Sequence, residues 1–202
     1  MKKTVLLTGF EPFDGATINP AWKAVRRFRG WVDEDYMVEI LQLPCVFGQA
    51  TRVLCGAVDE IRPGIVLCVG QAGGRDELTL ERVAVNCDDA PIQDNEGQQP
   101  VDTPIVIDGP ETYLATLPVD AMVDALCARG LTASVSETAG SFVCNHVFYG
   151  LMHHLEGKAV IGGLMHVPYL PEQAAMVDGA PSMALSEMIE GLRIAMEVAV
   201  RG

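Results

Sequence analysis

The sequence has few basic residues. Its 14 Lys and Arg stand against 27 Asp and Glu, which gives a net charge of −13 at neutral pH. A surface that binds nucleic acid needs clustered cations. The largest cluster here is Arg26, Arg27 and Arg29, at the end of a predicted helix, where cations complement the helix dipole. This shortage excludes nucleic acid from the expected partners, and the negative charge favours solubility.

The chain also has no long apolar run and no CxxC motif. No segment approaches the roughly 18 apolar residues of a membrane span, so we expect no membrane partner. Met1-Lys2-Lys3 leads directly into a strand-like run that is too short for the apolar core of a signal peptide. Six cysteines occur, several of them inside apolar patterns, which favours reduced thiols over disulfides. These absences predict a cytoplasmic protein, and we expect no metal or other cofactor.

Apolar and amphipathic segments alternate along the first part of the chain. Asn19-Pro20 is a typical helix start, and Gly30 is a typical end. The order strand, helix, strand, helix, strand predicts a parallel sheet with helices on its faces. The predicted strands cover residues 4–9, 36–43 and 65–70, and the second helix covers 48–62.

The second part of the chain predicts a less regular order. Residues 77–86 alternate like a half-exposed strand, and a loop rich in Asp, Asn, Gly and Pro follows them. Further helices are predicted over 118–129, 144–156 and 183–200, and further strands over 132–137 and 159–166. We therefore expect a single domain over residues 1–202, an α/β fold with three α/β/α layers around a mixed, mostly parallel sheet.

Cys144 is the first candidate for chemistry. It follows the Ala139-Gly140 turn and precedes a helix-like apolar pattern, which places a thiol at the start of a helix. Free backbone N–H groups and the helix dipole favour the thiolate there, and a thiolate attacks carbonyl groups. A buried cysteine that acts only as a small apolar residue is the alternative.

A cysteine nucleophile needs a base and a group that orients that base. Of the four histidines, His166 is the best candidate for the base, because it ends an apolar run where a strand leads into a loop. His146 points to another face of its helix, and His153 and His154 suit the dipole at the helix end. Glu81 is the candidate orienting group, since strand alternation allows it to point inward. A satisfied histidine at a strand end and a surface ion pair are the alternatives for these two residues.

Four segments, in order along nearly the whole chain, resemble one known family. They are LLTGFEPFDGATINPAW (6–22), LERVAVNCDDAPIQDNEGQQP (80–100), SETAGSFVCNHVFYGLM (136–152) and GGLMHVPYLPEQ (162–173). The resemblance is to pyroglutamyl peptidase I, also called pyrrolidone-carboxylate peptidase, a group of cytosolic cysteine exopeptidases. It implies Cys144 as the nucleophile, His166 as the general base and acid, and Glu81 as the group that orients the imidazole.

The resemblance also implies the reaction, hydrolysis of the amide bond after an N-terminal pyroglutamyl residue of a peptide, through a thioester. A pyroglutamyl group is a small neutral lactam, so its recognition requires apolar walls and a few backbone hydrogen bonds. The resemblance places four residues in those walls, and Gln71 would meet the polar edge of the lactam through its backbone. The wall residues are Phe10, Phe13, Phe142 and Val143.

Core packing is the alternative for Phe10 and Phe13, although a loop bounded by glycine and proline is an unusual place for core aromatics. The resemblance further implies a homo-oligomer, with a tetramer as one option, and the Met-rich last helix offers apolar surface for it.

One position departs from the family pattern. Relatives usually have Ala-Arg-Ile-Pro-Asp-Asn where this chain has APIQDN over 90–95, with Pro91 and Gln93. The family arginine is associated with the substrate or oxyanion region, and Pro91 can neither donate a hydrogen bond nor carry charge. Loss of one oxyanion donor costs about 2.7–4 kcal/mol of barrier, so we expect an altered rate or substrate range. Two alternative functions follow, an amidohydrolase of the same fold acting on another small cyclic acyl amide, and a non-catalytic lactam-binding module.

Overall fold

The computed structural model describes residues 2–177 and 179–202. Its strands are β1 (Lys3–Phe10), β2 (Tyr36–Leu43), β3 (Ile65–Gln71), β4 (Leu78–Glu81), β5 (Val83–Val85), β6 (Thr112–Leu114), β7 (Ala133–Ser136) and β8 (Ile161–Val167). Its helices are α1 (Pro20–Val25), α2 (Gln49–Ile61), α3 (Val119–Ala128), α4 (Val143–Leu155), α5 (Pro171–Ala174) and α6 (Leu185–Arg201). Within the described ranges, no helix is long and apolar enough to cross a membrane.

Six of the strands form one sheet, in the order β2-β1-β3-β8-β4-β7. Neighbouring strands run parallel except for β4 and β8, which run antiparallel. The prediction of a mixed, mostly parallel sheet is confirmed. The short strands β5 and β6 pair with each other in a separate antiparallel ribbon.

The side chains of β3 alternate between the two faces of the sheet. Leu67 and Val69 pack in an apolar cluster with α1, α3 and α6, whereas Val66 and Cys68 pack in a second cluster with α2 and α4. The same alternation turns Gly70 towards the α4 side and the side chain of Gln71 towards the α1 side. Helices therefore cover both faces, as the prediction of three layers requires.

The prediction of one half-exposed strand over 77–86 is wrong. All four residues of β4 are buried, because β4 lies between β8 and β7 and is not an edge strand. The chain then leaves the main sheet after Arg82, and residues 83–85 pair with β6. Sequence alternation detects an extended backbone, but it does not show which sheet the backbone joins.

Helix α1 begins where the sequence predicts. Asn19 caps it, with its side-chain oxygen accepting the Ala21 N–H at 2.9 Å. The expected end at Gly30 is wrong, because α1 ends at Val25 and continues only as a 3-10 turn over Arg26–Phe28. The apolar surface expected on the last helix is also largely absent, since Met188 and Met196 of α6 are fully buried in the core.

The loops that matter for function meet at one edge of the sheet. Because β1, β3 and β8 run parallel, their carboxyl ends lie along the same edge, where open α/β sheets bind ligands. The register pairs Gly70 with His166, and the antiparallel β4 brings Thr79 opposite the same histidine. The predicted site residues on three separate strands therefore converge there.

Candidate active site

Cys144 and His166 both border the backbone of Gly70. Cys144 is the second residue of α4, and His166 pairs with Gly70 across the sheet. A Cβ atom on Gly70 would lie 2.8 Å from Cys144 Sγ and 2.9 Å from His166 Nε2. Both distances are shorter than carbon atoms tolerate, so a glycine at this position lets the thiol and the imidazole share one small space.

His166 is oriented by Glu81. Its Nδ1 lies 2.7 Å from Glu81 Oε1, and both side chains are buried. An ionised carboxylate can only accept hydrogen bonds, so the proton of the neutral imidazole is on Nδ1. That tautomer leaves a lone pair on Nε2, the nitrogen nearest the Gly70 position that Cys144 also borders.

The carboxyl group of Glu81 is kept ionised by its neighbours. Burial raises its pKa, but the hydrogen bond and charge of His166, together with Ser136 and Arg75, outweigh that effect, so the pKa lies below its ordinary value. Arg75 Nη1 donates to Glu81 Oε1 at 2.6 Å, and Nη2 donates to the carbonyl of Thr138 at 3.2 Å. Arg75 thereby connects Glu81 to the loop that leads to Cys144.

The sequence reasoning missed Arg75. A buried carboxylate requires a compensating charge or hydrogen bonds, so the assignment of Glu81 to a buried strand would have directed attention to nearby cations. Arg75 lies only six residues before Glu81, in the loop between β3 and β4. Because the sequence predicted a half-exposed strand over 77–86, Glu81 was not expected to need a compensating charge.

The surroundings of Cys144 act on the pKa of its thiol in both directions. Burial raises this pKa, and the neighbouring Cys45, Cys68 and Glu81 raise it further, while Arg75 lowers it. A base beside Cys144 would therefore favour formation of the nucleophilic thiolate.

Three of the five expected lactam-binding residues have partly exposed side chains. They are Phe13, Gln71 and Phe142, and the rings of Phe13 and Phe142 lie 5.8 Å apart. Phe10 and Val143 are buried, with exposed fractions of 1% and 0%. Phe10 is the last residue of β1, so its expected place in a loop is wrong. It packs in the same apolar cluster as Phe142 and Cys144.

Gln71 lies immediately after Gly70, but its side chain is turned away from Cys144. Its Oε1 accepts a hydrogen bond from Gln173 Nε2 at 3.1 Å. The same Nε2 lies 3.4 Å from the carbonyl of Ile18, and Gln173 Oε1 accepts the Leu170 N–H at 3.1 Å. The side chain of Gln71 is therefore engaged on the α1 side of the sheet.

The rings of Phe13, Phe47 and Phe142 form an aromatic wall, and hydrogen bonds fasten the 94–98 loop to it. Asp94 Oδ2 accepts the Phe47 N–H at 3.0 Å, and the ring of Phe47 packs 5.5 Å from that of Phe142. The Asn95 side chain donates to Glu11 Oε1 at 2.9 Å. These contacts explain why the segments around residues 11 and 94 both belong to the site.

A second histidine–carboxylate pair includes a residue of α4. His146 Nδ1 is 2.7 Å from Asp88 Oδ2, and its Nε2 accepts the Gly48 N–H at 2.9 Å. The imidazole also packs against the ring of Phe47, with centroids 5.5 Å apart. Both ring nitrogens are therefore occupied, and His146 supports the aromatic wall.

Pro91 is exposed on a loop that contacts the segment before Cys144. The Asp89 N–H donates to the carbonyl of Ser141 at 3.1 Å, and Ser141 Oγ donates to the carbonyl of Asp89 at 2.6 Å. The departure from the family pattern is thus at the rim of the site. Proline contributes neither a donor nor a charge there.

The cysteines form no disulfide, and the described part of the chain shows no metal-binding cluster. Each of the six cysteines, all within the described ranges, is a free thiol. Among residues 2–177 and 179–202, no group of three or more His, Cys, Asp or Glu side chains is arranged to hold a metal ion.

The family model described as pyroglutamyl peptidase matches residues 3–202. The chain belongs to the pyroglutamyl peptidase family. It is 56% identical to a pyrrolidone-carboxylate peptidase of Klebsiella pneumoniae, over 98% of this chain and 92% of the relative. A second relative, from Cupriavidus taiwanensis, is also 56% identical, over 98% and 93% of the two chains.

Solved structures of the family are closely similar. Pyroglutamyl peptidase I from Bacillus amyloliquefaciens superposes with a TM-score of 0.97 at 45% identity, over 100% of this chain and 97% of that one. A mutant pyrrolidone carboxyl peptidase from Pyrococcus furiosus superposes with a TM-score of 0.95 at 41% identity, over 98% of each chain. The family resemblance and the fold class predicted from the sequence are confirmed.

Proposed function

We propose that this chain hydrolyses the amide bond that follows an N-terminal pyroglutamyl residue of a peptide. The observation that carries the proposal is the contact of Cys144 Sγ and His166 Nε2 with the same Gly70 position. A thiol beside an imidazole whose other nitrogen is held by a carboxylate is the arrangement that acyl transfer requires. Membership of the pyroglutamyl peptidase family supports pyroglutamyl as the acyl group that is transferred to the thiol.

In the first step, His166 acts as the base and Cys144 as the nucleophile. His166 Nε2 takes the proton of the neutral thiol, and the sulfur attacks the carbonyl carbon of the pyroglutamyl group. The carbonyl oxygen becomes an oxyanion. The N–H groups at the first turn of α4, including that of Cys144, have no intrahelical acceptor and are the available donors.

In the second step, the imidazolium protonates the leaving amine. The carbon–nitrogen bond breaks, the peptide departs with a free N-terminus, and the acyl group remains on Cys144 as a thioester. Water, deprotonated by His166, then attacks the thioester and releases pyroglutamate. Glu81 stabilises the imidazolium in both steps, and Arg75 keeps Glu81 ionised and in place.

We extend the proposal to the whole chain, as one catalytic domain over residues 1–202 that acts in the cytoplasm without a cofactor. A homo-oligomer is part of the proposal. Exposed apolar side chains of the 101–114 segment are the candidates for a subunit contact, namely Val101, Ile107 and Leu114.

The test is turnover of a pyroglutamyl aminocoumarin substrate by the wild type, by Cys144→Ser and by Cys127→Ser. Cys127 is an exposed cysteine outside the site and serves as the matched control. We expect Cys144→Ser to lose about 10³-fold or more in kcat with the fold intact by circular dichroism, because a hydroxyl is a far weaker nucleophile than a thiol in this setting.

Cys127→Ser should match the wild type. Robust turnover by Cys144→Ser would overturn the nucleophile. Wild-type cleavage of open-chain acyl amides but not of the pyroglutamyl substrate would overturn the substrate class.

A further inference from the structure

A cleft of about 840 Å³ lies at the carboxyl edge of the sheet, and Cys144, His166 and Glu81 are not among its lining residues. Its near wall contains Phe13, Gln71 and Ile92. Phe13 packs on Phe142, two residues before Cys144, and Gln71 directly follows Gly70. The near wall therefore neighbours the candidate catalytic residues in sequence and packing, and the cleft continues over the edge of the sheet towards α1 and α5.

The cleft is too large for the lactam alone. Pockets of about 300–1,000 Å³ hold drug-sized ligands, whereas a pyroglutamyl group has a single five-membered ring. Most of the volume is therefore left for another part of the substrate. In a peptide, the only part attached to the reacting carbonyl besides the lactam is the chain that follows the scissile bond.

The far wall of the cleft is apolar and held in place by defined contacts. It contains Ile18, Tyr169 and Val177, with the highly exposed Met176 at the mouth. A Cβ atom on Gly73 would lie 2.2 Å from the Tyr169 ring, so the ring lies directly against the glycine backbone. The hydrogen bonds from Gln173 to Gln71 of the near wall and to Ile18 of the far wall fasten the α5 segment to both.

The charges of the cleft favour a neutral side chain. Lys23 and Glu172, which both line it, form an ion pair at 2.7 Å and so compensate each other. Asp14 also lines the cleft, and the whole chain carries a net charge of −13. Lys23 is the one cation among the described residues that line the cleft, and it is paired, so an acidic side chain would meet repulsion there.

We infer that this cleft binds the leaving peptide, with the side chain of the first residue after the scissile bond against Ile18, Tyr169 and Val177. The inference rests on the proposed function and extends it to a preference. Peptides with an apolar residue after pyroglutamate are preferred over those with glycine, and those with an acidic residue are disfavoured.

The test compares kcat/KM for pyroglutamyl dipeptide amides with Leu, Gly or Asp in the second position. We expect Leu to exceed Gly by about tenfold, which is typical for burial of one apolar side chain, and Asp to be the poorest. Val177→Asp should lower the Leu-to-Gly ratio at least fivefold, mainly through KM. Val53→Asp, the same change at an exposed valine of α2 outside the cleft, should leave the ratio unchanged.

Equal turnover of the three amides would overturn the inference and leave the proposed function standing. A Val177→Asp variant that keeps the wild-type ratio would also overturn it. Absence of turnover of all three amides by the wild type would contradict the proposed function itself, and the inference with it.

Discussion

His166 and His146 each place Nδ1 2.7 Å from a buried carboxylate, Glu81 in one case and Asp88 in the other. They differ in what meets the second nitrogen. Nε2 of His146 accepts the Gly48 N–H, whereas Nε2 of His166 borders the bare backbone of Gly70, which the thiol of Cys144 borders as well. A histidine that is paired with a carboxylate can therefore act as a base only where its Nε2 lone pair is free and lies near a reactive group.

The two carboxylates differ as well. Burial raises the pKa of Glu81, but His166 chiefly outweighs this effect and holds the pKa below its ordinary value, and Arg75, which donates to Glu81, adds to the lowering. The ion pairs of Asp88 within the described residues involve only His146. A cation that keeps the carboxylate charged supports an imidazole that must become positive during the reaction. In the proposed reaction, the His146–Asp88 pair does not support an imidazolium.

Among the changes that test the difference between the two histidines, replacing His166 should lower activity the most. His166→Ala should lower kcat by about 10⁴-fold or more, because it removes the base and the acid together. Steady-state kinetics with a pyroglutamyl substrate measures this effect, and thermal melting verifies the fold. A variant that is folded and retains a tenth of the activity would show that His166 is not the base.

Adding a methyl group at Gly70 tests the shared space between the thiol and the imidazole. Gly70→Ala places a Cβ atom within 3 Å of both groups, so one of them must move. Displacement by about 1 Å costs about 100-fold in rate, and we expect a loss of that size in kcat. Gly56→Ala, on α2 with open space around it, is the matched control. Wild-type kinetics in Gly70→Ala would mean that the two groups do not act together there.

Replacing Arg75 with a neutral residue removes the cation that distinguishes Glu81 from Asp88. Arg75→Gln should lower kcat/KM by about 10-fold, close to the worth of one hydrogen bond to a charged group. Loss of the cation raises the pKa of Glu81. On acidification, the activity that needs ionised Glu81 should then be lost at a higher pH than in the wild type.

The control for Arg75 is Arg82→Gln. Arg82 follows Glu81 in the chain, but its side chain pairs with Asp120 and Glu137, and the ion pairs of Glu81 among the described residues are with Arg75 and His166. It should leave both kcat/KM and the pH profile unchanged. If Arg75→Gln shifts the acid limb, Arg75→Lys, which keeps the cation, should move it back towards its wild-type position. If Arg75→Gln lowers activity equally at every pH, the role of Arg75 is structural only.

Replacing His146 tests the supporting role directly. His146→Ala should lower the free energy of unfolding by about 2–4 kcal/mol, because the Asp88 carboxylate and the Gly48 N–H are left unpaired. Its effect on kcat should remain below about 10-fold. Urea denaturation and kinetics on the same preparation separate the two quantities. A loss of activity as large as that of His166→Ala, with unchanged stability, would place His146 in the chemistry instead.

Residue patterns singled out Cys144, His166 and Glu81 as candidates, but each had an ordinary structural alternative, and the family resemblance was needed to choose between them. The parallel half of the sheet was predictable from apolar runs and turn residues. The burial of β4 was not, because alternation does not reveal a strand's neighbours. Arg75 was missed for the same reason, since its partner Glu81 was not known to be buried. The closeness of Gly70 to Cys144 and His166 depends on how β3 and β8 are aligned in the sheet. No local sequence pattern encodes that register.

The most direct test of the account is alkylation of the wild type with iodoacetamide, with and without excess 2-pyrrolidone, followed by mapping of the labelled cysteines. The account predicts that loss of activity follows labelling of Cys144 and that the lactam slows labelling of this cysteine alone, because it fills the pocket beside the thiol. Exposed Cys127 should react at the same rate in both samples and without effect on activity. Inactivation that follows labelling of another cysteine, with Cys144 unmodified, would contradict the account.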